Sequence, residues 1–153
     1  MDLKKLALVA EIVGGVGIVI SVLYLAYEIS QNTANLKAAN AMSFATEMNA
    51  RRFARVENSE LDALIQRGQT ELDSLSDEER SRFFSYVLVR FTLLDNFLYM
   101  EDSDLLPPGY ADSILQGYCA SLSAPGYRAV WAASLSNYYS EHLRNFMQEC
   151  YAD

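Results

Sequence analysis

The sequence predicts an all-α protein with one N-terminal membrane-crossing helix, residues 1–29, continuing into a compact helical bundle domain, residues 30–153. Three observations predict it. The first is an apolar run, Leu6 to Tyr27, with one charge, Glu11, in 22 residues. About 20 predominantly apolar residues at 1.5 Å rise span the roughly 30 Å of hydrocarbon in a bilayer. The second is the recurrence of apolar side chains three and four residues apart further along, which is the helical period. The third is the scarcity of breakers, with three prolines and seven glycines in 153 residues. The part beyond the apolar run, about 125 residues, is long enough for one real core.

The anchor reads as retained rather than cleaved. Lys4 and Lys5 precede it as in a signal peptide, but Leu25-Ala26-Tyr27-Glu28 lacks the small-residue pattern of a cleavage site. A buried or interfacial helix is the alternative to a span. Ala10, Gly14, Gly17 and Ser21 follow one another at spacings of 4, 3 and 4, on one side of the helix. Small residues there let a second backbone approach closely, so this seam reads as a helix-packing face for another copy or another membrane protein. Tyr24 and Glu28 prolong it. Against that, glycine is simply frequent in membrane helices. Glu11 lies about 7–8 Å into the run at 1.5 Å per residue. An intramembrane carboxylate is a functional candidate by default, whereas a lone acid near the headgroup boundary is the plainer reading.

The remaining elements follow in order. Residues 30–56 lack proline and glycine, so the first helix runs on, with a kink allowed near Gln31-Asn32-Thr33. Ala39, Met42, Ala45, Met48, Ala50 and Phe53 are its apolar positions. A short helix, residues 60–67, stops at Gly68 in the C′ position, and residues 69–75 form a loop. Ser76-Asp77-Glu78-Glu79 is a capping box opening a helix to about Met100. Phe83, Val87, Phe91, Leu94 and Leu98 form its buried stripe, with Ser85, Thr92 and Asn96 opposite. Arg90 interrupts that stripe. A buried arginine calls for an acidic partner, with Glu47, Asp112 and Glu141 as candidates, or for a stem that packs while its head reaches water. Pro107-Pro108-Gly109 makes a turn, and a helix from Tyr110 to about Ser121 carries Ile114, Leu115, Tyr118, Cys119 and Leu122. Pro125 opens the last segment in its first turn. Tyr127, Trp131, Leu135 and Tyr138 share a stripe there, and Ser140 is placed to cap a separate final piece.

Composition narrows the function. A net charge of −8 excludes the basic stripe of a nucleic-acid binder. The one short basic cluster, Arg51, Arg52 and Arg55, reads as a solvated face or a headgroup contact. Two cysteines, Cys119 and Cys150, make neither a metal site nor a disulfide framework, and the only histidine is His142. The default for the cysteines is two buried thiols, with one bridge open if the domain faces an oxidising compartment. His142, beside the aromatic stripe, reads as a packed core residue. No catalytic, cofactor or metal motif stands out, and ten tyrosines and seven phenylalanines at helical spacing read first as core.

Two stretches carry a resemblance. The run Glu11-Ile12-Val13-Gly14, then Tyr24-Leu25-Ala26 with Ile29 and Gln31-Asn32-Thr33, resembles a family of small bacterial single-pass membrane proteins without an assigned activity. The stretch Ser123-Ala124-Pro125-Gly126-Tyr127-Arg128-Ala129-Val130-Trp131 is similar to that family's Pro-Gly-x-Arg-Ala-x-Trp segment. The resemblance implies one N-terminal span in the bacterial inner membrane, a helical domain and a short terminal helix. Family members carry arginines just after the span, which implies a cytoplasmic domain. Here those positions hold Glu28, Ser30 and Asn35, with Lys37 nearby, while Lys4 and Lys5 pull the N-terminus inside. The resemblance tilts the reading towards a cytoplasmic domain and the lysines oppose it. The function expected is non-enzymatic, an accessory or assembly subunit packing through its span. The alternative is a membrane-anchored sensor holding a lipid or other apolar molecule in its aromatic domain.

Overall fold

A computed structural model of the chain describes residues 2–134 and 138–152. Among them are six α-helices, one short 3-10 turn and no strand. The helices are α1 (Leu3–Glu57), α2 (Ser59–Thr70), α3 (Asp77–Asp102), α4 (Tyr110–Leu122), α5 (Pro125–Ala133) and α6 (Glu141–Tyr151). The 3-10 turn, Leu72–Ser74, sits in the stretch read as a loop. By contacts the chain divides into two units, Met1–Ala39 and Asn40–Asp153. The first unit is α-helical and its apolar side chains are exposed, Ile12, Val16, Ile20 and Leu23 among them. Helix α1 is unbroken through Gln31-Asn32-Thr33, where a kink had been allowed.

The second unit is built on α3. Its predicted stripe of Phe83, Val87, Phe91, Leu94 and Leu98 is buried, joined by Phe97, while Ser85, Thr92 and Asn96 stay exposed. The capping box that starts it is present in both directions. The Glu79 amide donates to Ser76 Oγ at 3.3 Å, and the Ser76 amide donates to Glu79 Oε2 at 3.0 Å. Arg67 on α2 reaches the same carboxylate at 2.5 Å. That bond, then the one from Ser76, holds the Glu79 pKa down at about 2.

Helix α2 begins at an Asn58 cap, whose side chain accepts from the Leu61 amide. It does not stop at Gly68 but runs on to Thr70. Gly68 is a packing residue. A Cβ there would meet the Phe83 ring at 2.3 Å, and one on Gly126 would meet the Gly68 carbonyl oxygen at 1.8 Å. The two glycines therefore let α2 and α5 touch backbone to backbone.

In the α1 portion of this unit the buried residues are Ala41 and Phe44, with Met48 half-buried. Met42 and Phe53, two of the apolar positions at helical intervals, are 75% and 63% exposed. The face is chosen by its partners: Phe44 packs on Phe97 at 4.2 Å between centroids, and Tyr110 donates to the Ala41 carbonyl at 3.1 Å. Gly109, at φ 72°, sets the turn into α4.

Ser140 caps α6, accepting from the Leu143 amide, and its hydroxyl and amide both donate to Asp95 on α3. The C-terminal segment is thus two helices, as the cap residue suggested. Tyr127 is buried and Trp131 half-buried, packed edge-on to Phe91 at 5.1 Å, but Tyr138 is exposed, and Leu135 lies outside the described residues. His142 is exposed too, 3.6 Å from Asp102, rather than in the core. The cysteines are not two thiols. Cys119 and Cys150 form a disulfide that ties α4 to α6, with Cα atoms 5.4 Å apart.

Candidate functional site

A pocket of about 350 Å³ lies within the second unit. Helix α1 contributes Met48, Arg51, Arg52 and Arg55; α3 contributes Tyr86 and Arg90; α4 contributes Ser113, Ile114, Gly117, Tyr118 and Ser121. Helical spacing explains the donors. Residues 51 and 55 are one turn apart on one side of α1, and residues 86 and 90 are one turn apart on α3. Gly117 leaves the α4 wall open, since a Cβ there would meet nothing within 4 Å.

Four guanidinium groups thus line a pocket whose walls hold no carboxylate. Among the described residues, only Arg55 of the four is paired with a carboxylate, Asp62 of α2 at 2.5 Å. Burial works against the Arg55 charge, and the Asp62 hydrogen bond, together with the charges of Asp62 and the nearby tyrosines, outweighs it and raises the pKa. Arg90 makes no ion pair among the described residues. Instead of reaching Glu47, Asp112 or Glu141, its Nη1 donates to the Tyr127 hydroxyl at 2.9 Å and its Nη2 to Ser121 Oγ at 2.8 Å. Its guanidinium also lies over the rings of Tyr127 and Tyr118, 4.9 and 5.5 Å from their centroids. Ring faces, a phenol and a serine hydroxyl thus hold the charge, rather than the carboxylate that one of the two readings of Arg90 called for. Burial raises the Tyr127 pKa, against the pull of Arg90, so the phenol remains a neutral partner.

Arg51 is the least satisfied of the four. It is half-buried, its Nη2 is shielded from solvent without a hydrogen-bond partner, and its guanidinium sits 5.8 Å from the Tyr86 centroid. Burial lowers its pKa; the nearby tyrosines oppose that and Arg90 adds to it. A buried donor without a partner costs about 1–3 kcal/mol, and more for a charged group.

The residues singled out in the apolar run lie elsewhere. Ala10, Glu11, Gly14, Gly17 and Ser21 are all exposed, and the Ser21 hydroxyl donates to the Gly17 carbonyl at 2.8 Å. A Cβ on Gly14, Gly15 or Gly17 would meet nothing within 4 Å. Glu11 has no hydrogen bond or ion pair among the described residues.

The arginine pocket was not legible as a site. Arg51, Arg52 and Arg55 suggested a solvated face or a headgroup contact; a solvated face describes exposed Arg52 but not half-buried Arg51 and Arg55. Two signals existed, the basic turn on α1 and the arginine inside the α3 stripe. Nothing local joins them, because they meet only when α1, α3 and α4 pack.

Compared with protein-family models, curated proteins and solved structures, the chain finds no match in any of the three. Fold and geometry define a class: an all-α protein with a helical bundle and, among the described residues, one helix long and apolar enough to cross a membrane.

Proposed function

We propose that this is a single-pass membrane protein of the bacterial inner membrane, a non-enzymatic accessory or assembly subunit that packs through its N-terminal span. The observation that carries the reading is the apolar stretch of α1. None of its most apolar window is buried by the rest of the chain. Exposed apolar surface on that scale marks a membrane or protein interaction. Lipid tails are as apolar as leucine, so helices associate in a bilayer by close backbone approach, which needs small residues on the meeting face. Gly14 and Gly17, extended by Ala10 and Ser21, supply such a face for a second copy or another membrane protein.

The helical domain, in this reading, lies on the oxidising side of the membrane. Lys4 and Lys5 favour an inside N-terminus, and the Cys119–Cys150 bridge is the kind of crosslink that persists outside the reducing cytoplasm. These two observations outweigh the cytoplasmic placement that the family resemblance implies.

The test is site-specific crosslinking in native membranes across three variants. Gly14→Leu and Gly17→Leu are expected to weaken association while the domain stays folded. Gly15→Leu, roughly 100° around the helix from Gly14, is expected to be milder. Equal behaviour of all three, or a strict monomer on native mass spectrometry with nothing recovered by gentle extraction, would overturn the packing face.

A further inference from the structure

We propose that the pocket between α1, α3 and α4 binds a small organic phosphate, held by Arg51, Arg52 and Arg90 against the rings of Tyr86 and Tyr118. Charge points first to an anion. The chain as a whole carries −8, yet this concavity gathers four arginines and no acid. Guanidinium groups gathered in one concavity repel, and the arrangement becomes favourable when an oxyanion enters among them. Arg55 already has Asp62, which leaves Arg51, Arg52 and Arg90 without a carboxylate partner among the described residues.

Donor geometry points the same way. Arg51 keeps an unpartnered, shielded Nη2 at the pocket, whereas Arg90 and Arg55 already have hydrogen-bond partners. Arg90 is fixed by Tyr127 and Ser121, so its fork is pre-oriented rather than free to fold onto an incoming group. Planar forks converging from two helices match the several acceptor oxygens of a phosphate, which can take hydrogen bonds from more than one guanidinium at once. Ser113 and Ser121 add hydroxyls at the α4 wall.

Size and lining extend the class from phosphate to organic phosphate. A volume of about 350 Å³ exceeds what a bare oxyanion fills, and it falls in the range of small-molecule sites, about 300–1,000 Å³. Met48, Ile114 and the faces of Tyr86 and Tyr118 give the remaining wall apolar character. The shared chemistry is a phosphate ester with a short organic part, whether a soluble metabolite or the headgroup of a phospholipid. This site is independent of the packing face on the span, so either can fail without the other.

The experiment is calorimetric titration of the full chain in uncharged detergent micelles. One arm uses glycerol phosphate as the soluble source. The other uses a short-chain phosphatidic acid in mixed micelles as the lipid source. Saturable binding that weakens with added salt is expected in at least one arm, and the arm that saturates names the source. Arg51→Gln is expected to lose at least tenfold in affinity. Arg82→Gln, the same charge change at an exposed position of α3 outside the pocket, is expected to bind as the wild type does. Trp131 fluorescence reports whether each variant is folded. If Arg51→Gln fails to fold, exposed Arg52→Gln takes its place with the same expectation. No saturable binding in either arm, or equal losses in the pocket and Arg82 variants, would overturn the proposal.

Discussion

Replacing Gly126 with alanine adds one methyl group and tests how the α2–α5 contact is made. The new Cβ would lie 1.8 Å from the Gly68 carbonyl oxygen and 2.8 Å from its carbon. That is more than 1 Å inside the 3.0 Å below which real Cβ atoms essentially never approach a neighbour. The obstacle is backbone, so no side-chain rotation relieves it and α5 has to withdraw from α2. Tyr127, next in sequence, is fully buried against Phe83 and accepts from Gln69 Nε2 at 2.9 Å, so a withdrawal disturbs those contacts as well. Overpacking of this kind costs about 1–3 kcal/mol and occasionally more. With backbone as the obstacle the upper end is expected, about 3 kcal/mol out of the roughly 5–15 kcal/mol that hold a domain folded. Gly117→Ala is the opposite case. It lies inside α4, its Cβ meets nothing within 4 Å, and it is expected to stabilise by about 0.5–1 kcal/mol through helix propensity. Urea unfolding of the full chain in detergent micelles, followed by the single tryptophan, Trp131, compares the two. A Gly126→Ala variant within about 0.5 kcal/mol of wild type, the usual span of a neutral surface change, would refute the reasoning.

Three further outcomes follow from the same packing. Reducing the Cys119–Cys150 bridge, which closes a loop of 31 residues, is expected to cost about 3–4 kcal/mol by chain entropy, read as a lower urea midpoint in reductant. The bridge also reports topology. Membranes quenched with an alkylating agent are expected to yield unlabelled cysteines on a non-reducing gel, whereas full labelling would return the domain to the cytoplasmic side. The Glu79 pKa of about 2 lies below the ordinary value of 4.5, so its carboxylate contributes stability above pH 4.5 and loses it as pH falls towards 2. The gap in unfolding midpoint between wild type and Glu79→Gln is therefore expected at pH 7 and closed by pH 2. A gap that does not change across that window contradicts the assignment.

What the sequence made legible was local. The capping box at Ser76 and Glu79, the Ser140 cap and the α3 stripe each depend on residues within a few turns, and each is present as read. Much of what the sequence left open or misread was decided by distant partners. Ala41 and Phe44 share the helical period of Met42 and Phe53, and Phe97 and Tyr110, more than 50 residues away, choose which face is buried. Gly68 has the identity of a helix stop but serves as the bed for Gly126. Arg90 had three acidic candidates in the sequence and found a phenol, a hydroxyl and two rings instead. Two cysteines 31 residues apart carry no signal for or against a bridge until α4 and α6 are brought side by side.

Alkaline carbonate extraction of native membranes most directly tests the central claim that the apolar stretch of α1 spans a bilayer. It strips peripheral and soluble proteins while leaving spanning helices in place, because every backbone group of a helix in lipid is already satisfied internally. The full chain is expected in the membrane pellet after the wash. A variant carrying Val16→Arg and Ile20→Arg, each charge costing about 2.5–3.5 kcal/mol near the bilayer centre, is expected to shift to the supernatant. Release of the unmodified chain by carbonate would contradict the account.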